Sequence, residues 1–220
     1  MNKRYLIRLL PLLLIVSCGP SLSEKAAKME GQGDLDGAVN TYIRALQKIR
    51  DDSAVRMALK RSGQRLLTRR LEVAEETRER RGLVAAYPRY ASVMRLSRRI
   101  QRVGVDVSVT AESQTVWASV KNAKAEDLYR IADDHSQNGR HASAERVFDE
   151  ILDIIPGYRD AGARRKDVIY SHTKDLMARE HWRDAYAALD KIPYYKDAGD
   201  LRQRVLDSGR VSIAVVTHTG

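Results

Sequence analysis

Residues 125–156, AEDLYRIADDHSQNGRHASAERVFDEILDIIP, decide the fold. Apolar side chains recur at three- and four-residue steps on both sides of Gly139, and Pro156 closes the stretch. Such steps place apolar residues on one face of an α-helix, while glycine and proline commonly mark where helices end. The stretch therefore predicts two amphipathic helices joined by a turn at Gly139.

A repeated heptapeptide gives the period. The sequence PGYRDAG at 156–162 returns as PYYKDAG at 193–199, displaced by 37 residues. A period in the thirties is typical of repeats built from two helices, each of which needs a stacked neighbour to bury its apolar face. The body of the chain is therefore predicted to be all-α.

The stretch 125–156 resembles the tetratricopeptide repeat (TPR). Ala144, Phe148 and Pro156 have the spacing of the family's second helix. Ala132 takes the place of its first-helix glycine, and His135 replaces its aromatic residue. The resemblance implies an α-solenoid that acts as a protein-binding scaffold. The alternative is a helical bundle in which this spacing is accidental.

Two looser copies of the pattern accompany this one. Residues 22–50 turn at Gly33 but have no closing proline. In the third copy, residues 169–192, Glu180 and His181 stand where the turn glycine would be, and the second helix is predicted to be one turn shorter. We expect a helical region over 24–103, a linker and helix over 104–124, and TPR-like repeats over 125–208.

The resemblance implies that a groove is lined by the first helix of each pair. An envelope protein or peptide is the expected partner. The candidate contact residues on these helices are Leu128, Tyr129, Ala132, His135, His172, Leu176 and Arg179.

The N-terminus has the pattern of an export signal. Basic residues precede an apolar run of about eight residues, far short of the roughly 20 that span a bilayer. Residues 15–18, IVSC, resemble the bacterial lipobox, which implies removal of residues 1–17, acyl chains on Cys18 and a tether over 18–23. The expected location is the bacterial cell envelope, at the outer membrane facing the periplasm. An ordinary secretory signal with an incidental cysteine is the alternative.

The middle of the chain is predicted to form two long helices, roughly 53–82 and 84–103, with a break near Gly82. Residues 56–102 hold 14 basic and four acidic side chains, so this region carries the net charge. The basic surface is represented by Arg65, Arg69, Arg70, Arg80, Arg81, Arg98 and Arg99. A solvated helix face, an acidic protein partner and an anionic lipid or other envelope polyanion all fit this composition. Binding to a polyanion would weaken steeply with salt.

Two segments depart from the helical pattern. Valines alternate with polar residues over 103–110, which predicts an extended linker without a sheet, after which a helix resumes near Ala111 or Glu112. Residues 209–220 contain a β-branched run, and Gly209 is expected to stop the preceding helix. We expect a strand-like tail there, either the start of a further α/β domain, which would make the chain an accessory region of a larger envelope protein, or a strand added to a partner's sheet.

Composition supports the all-α expectation and offers no catalytic signature. The chain of 220 residues has a formal charge of +10, 43% hydrophobic residues, 13 glycines and five prolines, too few turn formers for a sandwich or barrel. The five histidines form no helical i, i+4 pair, and there is no phosphate-binding loop and no nucleophile-elbow motif. We therefore expect no catalytic residue, no metal site, no cofactor and no nucleic-acid partner.

Overall fold

The computed structural model describes residues 21–218, with side chains through Gly209, and this part of the chain is helical with no strand. The all-α prediction is confirmed. The helices are α1 (Leu22–Gly31), α2 (Leu35–Lys48), α3 (Ser53–Gln101), α4 (Ala111–Gln137), α5 (His141–Ile154), α6 (Ala161–Ala178), α7 (Trp182–Asp190) and α8 (Ala198–His218).

Two compact units divide the chain. The first unit consists of residues 21–69 and 94–108, and the second of residues 70–93 and 109–218. Helix α3 contributes residues to both units. Gly82 (φ 84°, ψ 176°), which belongs to the second unit, interrupts it and creates two arms, residues 53–81 and 83–101. Gly82 can adopt this positive φ without the steric cost that a side chain would impose. The helix break predicted near Gly82 is present.

In the first unit, α1 and α2 form a helical pair. Ser21 and Glu24 make a capping box at the start of α1, and Asp34 accepts a hydrogen bond from the Gly37 amide at the start of α2. Ala26 and Ala38 are fully buried, so these small residues allow the two helices to approach closely. This is the pair that the sequence predicted around Gly33.

The valine-rich segment of the first unit is extended and packs without a sheet. Val105 and Val107 are buried, and side-chain amides satisfy the neighbouring backbone. Gln64 Nε2 donates to the Ser108 carbonyl and Gln64 Oε1 accepts from the Ser108 amide, both at 3.1 Å. Gln101 Nε2 donates to the Val107 carbonyl at 3.3 Å. These glutamines supply hydrogen bonds that a neighbouring strand would otherwise provide.

In the second unit, the tips of the two α3 arms pack against α4. Tyr90 is fully buried beside Trp117, with ring centroids 6.5 Å apart, and its hydroxyl donates to the Glu75 carboxylate. Burial and the nearby carboxylate raise the pKa of Tyr90, so the phenol stays protonated. Ala74 and Ala86 are also fully buried here.

Helices α4 to α8 pack mainly on their neighbours in sequence. Ala132, Ala144, Phe148 and Ile151 are fully buried in one core, and Ala185 and Leu189 lie in the next. Helix α5 has 14 residues and α7 has nine, in agreement with the predicted shortening of the third copy.

The turns inside the three helix pairs share one backbone geometry. Gly33, Gly139 and Glu180 have φ values of 83°, 67° and 61°. In each case the next amide donates to the carbonyl five residues before it, as in Arg140 to His135 (2.8 Å) and His181 to Leu176 (2.9 Å). This bond is the hallmark of a Schellman ending. Glu180 therefore occupies the glycine position.

Exchanging residues at these turns should change stability in opposite directions. No atom lies within 4 Å of a Cβ built on Gly139, so Gly139→Ala is strained only through its backbone and should cost roughly 1–2 kcal/mol. Glu180→Gly should stabilise the chain by about 0.5–1 kcal/mol, because glycine adopts the positive φ of this position without the steric strain that a side chain causes. Urea unfolding followed by circular dichroism measures both. The control is Gly162→Ala. Gly162 lies in a helix with open space around its Cβ position and has no positive φ, so this substitution should be neutral or stabilising.

Each repeated heptapeptide belongs to a cluster that we call a lock. In the first lock, Tyr158 and Arg159 contact Glu126 at 2.9 and 2.5 Å, and Tyr129 donates to Asp160 at 2.5 Å. The Arg159 guanidinium lies 5.5 Å from the Tyr129 ring centroid and 5.2 Å from that of Tyr158. The lock ties the turn after α5 back to α4.

The second lock repeats these contacts with different residues. Tyr195 and Lys196 both contact Asp167 at 2.6 Å, Tyr170 donates to Asp197 at 2.6 Å, and the Lys196 ammonium lies over both tyrosine rings. Arg159 and Lys196 share a positive φ, of 43° and 49°. The hydrogen bonds lower the pKa of Asp167 and Asp197, which keeps both carboxylates ionised.

Two predictions for segments near the ends differ from the structure where it describes them. Helix α8 continues through Gly209 to His218, so the strand-like tail is wrong over the described residues; a helix satisfies its own backbone hydrogen bonds, whereas a lone strand cannot. The predicted tether over 18–23 is too long, because Ser21 already caps α1 and Leu22 begins it. The signal segment 1–17, Cys18 and the final residues 219–220 lie outside the described part.

Candidate partner-binding site

A cavity of about 300 Å³ opens in the second unit between the start of α5 and the end of α6. We call it the histidine pocket. It is lined by Gly139, Arg140, His141, Ala142, Ser143, His172, Asp175, Leu176 and Arg179. The Schellman turn at Gly139 places the beginning of α5 at the rim, and the last two turns of α6 supply the opposite wall.

Two histidines face each other across this pocket. Their ring centroids are 6.1 Å apart, and His141 Nε2 lies 3.1 Å from Asp175 Oδ2. The His141 Nδ1 atom is buried and has no hydrogen-bond partner among the described residues. A buried ring nitrogen without a partner is costly, but this atom is closed to solvent, so a ligand would meet the exposed groups at the rim instead.

The charge at the rim is mainly positive. Arg140 pairs with Asp134, whereas no described carboxylate lies within ion-pair distance of Arg179. Arg179 is exposed at the C-terminal end of α6. Because Asp175 is the only acid in the lining, an incoming carboxylate would meet the free guanidinium of Arg179 with little repulsion.

His172 should make the stability of the fold depend on pH. Burial lowers the pKa of His172 below its usual 6.5, and the neighbouring His141 and Lys191 act in the same direction, against Glu145 and Asp175. The unfolded chain therefore binds more protons in this window. The stability due to neutral His172 is present above pH 6.5 and is lost as the pH falls below it.

We expect the free energy of unfolding to decrease between pH 7.5 and 5.5, and His172→Gln to flatten that dependence. His181→Gln, at an exposed histidine before α7, should leave the slope as in the unmodified chain. Urea titrations at several pH values measure the slope. An unchanged slope in His172→Gln would show that other groups control it.

The structure brings three of the seven predicted contact residues to this pocket. His172, Leu176 and Arg179 line it, although Leu176 also packs against the core. His135 is half-buried, and its Nδ1 atom is buried without a described partner. Tyr129 is half-buried and engaged in the first lock.

Two predicted contact residues are packing residues instead. Leu128 is 4% exposed and Ala132 is fully buried, so neither can contact a partner in this conformation. Both lie in the core that holds Phe148. Leu128 and Ala132 are four residues apart and lie on the same face of α4. The face predicted to line the groove is therefore the face that packs against α5.

No known protein family, characterised protein or solved structure matches this chain.

The predicted basic surface is distributed over both units. Arg65, Arg69, Arg98 and Arg99 lie in the first unit, and Arg70, Arg80 and Arg81 in the second. All are exposed except Arg70, which is half-buried and donates to Ser92 Oγ at 2.9 Å. Some of these arginines form ion pairs with acidic residues of the same unit, as Arg65 does with Glu30 (3.4 Å) and Arg80 with Glu76 (3.1 Å).

Residues 21–218 bring together no group of three or more side chains that could hold a metal ion. None of the described helices combines the length and the apolar character of a membrane span.

Sequence reasoning missed His141, Asp175 and both locks. His141 and His172 are 31 residues apart, so no local spacing connects them. The locks did leave a signal: Glu126 and Tyr129, like Asp167 and Tyr170, are three residues apart and stand before a copy of the heptapeptide. Aligning the acid–tyrosine pairs with the repeats would have found them.

Proposed function

We propose that this chain is a membrane-anchored scaffold lipoprotein of the bacterial envelope, and that its second unit binds a protein or peptide partner. In this proposal α4–α5 and α6–α7 are TPR-like repeats of an α-solenoid. The proposal is supported by helices that pack on their sequence neighbours, by the shared Schellman turns and by the two equivalent locks.

The observation that carries the proposal is the guanidinium of Arg179 at the rim of the histidine pocket. Arg179 is exposed, and no described carboxylate lies within ion-pair distance of it. A partner that places a carboxylate at Arg179 would gain charge-assisted hydrogen bonds there. The pocket is too small for a folded domain, so the contacting element would be an acidic side chain or chain terminus of an extended segment.

The anchor in this proposal is the acylated Cys18. The lipobox resemblance of residues 15–18 supports it, and the first described helix begins at Leu22, only four residues later. Four residues reach at most about 14 Å, so the first unit would begin close to the membrane surface. The proposed role is non-catalytic and needs no cofactor.

Photo-crosslinking in intact cells tests the proposal. Benzoylphenylalanine at position 142 should give a discrete crosslinked product, because the exposed Ala142 lines the histidine pocket and its replacement leaves Arg179 intact. The control is position 204, an exposed residue on α8. Arg179→Gln in the same chain should remove the product from position 142. Equal products from both positions, or none from position 142, would contradict the proposal.

A further inference from the structure

A second cavity lies in the first unit, and arginines dominate its lining. It measures about 770 Å³ and is bounded by the end of α2, the start of α3 and the end of the second α3 arm. Arg44, Arg50, Arg56, Arg99 and Arg102 line it, and no acidic residue does. We call it the arginine cleft. Arg56, Arg99 and Arg102 lie in the basic region predicted over 56–102, whereas Arg44 and Arg50 lie outside it.

The local structure explains why these five cations can gather. Arg50 follows the C-terminal cap of α2, while Arg99 and Arg102 lie in the last turn and at the cap of α3. The C-terminal end of a helix carries a partial negative charge that favours nearby cations. Two partial charges cannot neutralise five guanidinium groups, so the cleft keeps a positive potential.

Two arginines are held in place and three are free to bind. Arg56 Nε and Nη2 donate to the Arg50 carbonyl at 3.0 and 2.8 Å, and Arg99 donates to Asn40 at 2.8 Å. Asp51 pairs with Arg56 at 3.6 Å, but its side chain is fully exposed to solvent, so it neutralises little of the charge. Within residues 21–209, no carboxylate is within ion-pair distance of Arg44, Arg50 or Arg102.

We propose that the arginine cleft binds a phosphate-bearing ligand. Guanidinium forks match phosphate oxygens in pairs, and a cleft of this size accommodates a ligand larger than a single ion. Ile43, Leu46 and Val103 supply an apolar wall for the part of the ligand beyond its phosphate. This inference concerns the first unit and does not depend on partner binding by the second.

Isothermal titration of the full-length chain in non-ionic detergent tests the cleft, with inorganic pyrophosphate as the probe. Arg44→Gln combined with Arg102→Gln should weaken binding about tenfold or more, since each free guanidinium contributes charge-assisted hydrogen bonds. Both residues are exposed, so the fold should be retained, which circular dichroism checks.

The matched control is Arg69→Gln combined with Arg98→Gln, which removes the same charge from exposed positions of the same unit outside the cleft. Its affinity should stay within about twofold of the unmodified chain, because neither residue lines the cleft and exposed charges are screened by salt. An equal loss in both double variants would assign binding to diffuse surface charge and overturn the proposal. Absence of pyrophosphate binding at millimolar concentration would also overturn it.

A second arm identifies the source of the phosphate. Phosphatidic acid is added to the detergent micelles, and the pyrophosphate titration is repeated. A lipid headgroup in the cleft would compete and weaken pyrophosphate binding, whereas unchanged affinity assigns the cleft to a soluble phosphate compound. Either result supports phosphate binding by the cleft, provided that the Arg44→Gln/Arg102→Gln variant binds pyrophosphate more weakly than the unmodified chain.

Discussion

Phe148→Ala should destabilise the chain by about 3–5 kcal/mol, among the largest effects of any single substitution in the second unit. Phe148 is fully buried, and its ring meets that of Tyr129 edge-on with centroids 5.9 Å apart. Removing the ring leaves a cavity between α4 and α5 that rigid helices cannot fill by collapse. Urea unfolding monitored by circular dichroism at 222 nm gives the difference in free energy.

The matched control is Ile131→Ala on α4. Ile131 is 39% exposed, so its truncation should cost far less than that of Phe148. If Phe148→Ala were as mild as Ile131→Ala, the packing of α4 on α5 would not be the main source of stability, and the repeat interpretation would lose its energetic basis.

Cys18→Ser should move the chain from the membrane fraction to the soluble fraction. In the proposed lipoprotein, the acyl chains on Cys18 provide the attachment, at about 0.8 kcal/mol for each buried methylene group. Serine cannot form the thioether, so the anchor would be lost. Alkaline washing of membranes followed by immunoblotting measures the distribution between the two fractions.

Ser17→Ala is the control for this substitution, because it keeps a small residue before the cysteine. It should leave the chain in the membrane fraction. Retention of Cys18→Ser on washed membranes at the level of the unmodified chain would mean that attachment does not depend on this residue.

The helix pairs were predictable because their signals are local. Ala144 and Phe148 carry the four-residue step of a buried helix face, and Gly139 marks the turn. The break at Gly82 and the extended valine segment were predictable for the same reason. Each of these features depends on conformational preferences that act within a few residues.

The histidine pocket was only partly predictable, because it depends on tertiary packing. The sequence indicates that α4 and α6 are first helices, but not which of their faces turns inward. The prediction that Leu128 and Ala132 line a groove is wrong for this reason, since both form the core. His172 and Arg179 do line a cavity, whereas the pairing of His141 with Asp175 follows from the α5–α6 junction alone.

The conformation of the C-terminal residues 209–218 could not be predicted from local preferences. The β-branched run after Gly209 favours a strand by composition, and Gly209 itself favours a helix end. The structure continues α8 through both, which is consistent with the tendency of a chain without a strand partner to pair its own backbone. Intrinsic preferences of this size are readily overridden by context.

The proposed attachment of this scaffold to a membrane is tested most directly by intact-mass spectrometry of the chain extracted from cells with detergent. We predict a polypeptide that begins at Cys18 and is heavier than residues 18–220 by the mass of a diacylglycerol group and an amide-linked acyl chain. A chain that retains residues 1–17, or one whose mass shows no acyl groups, would contradict the proposal.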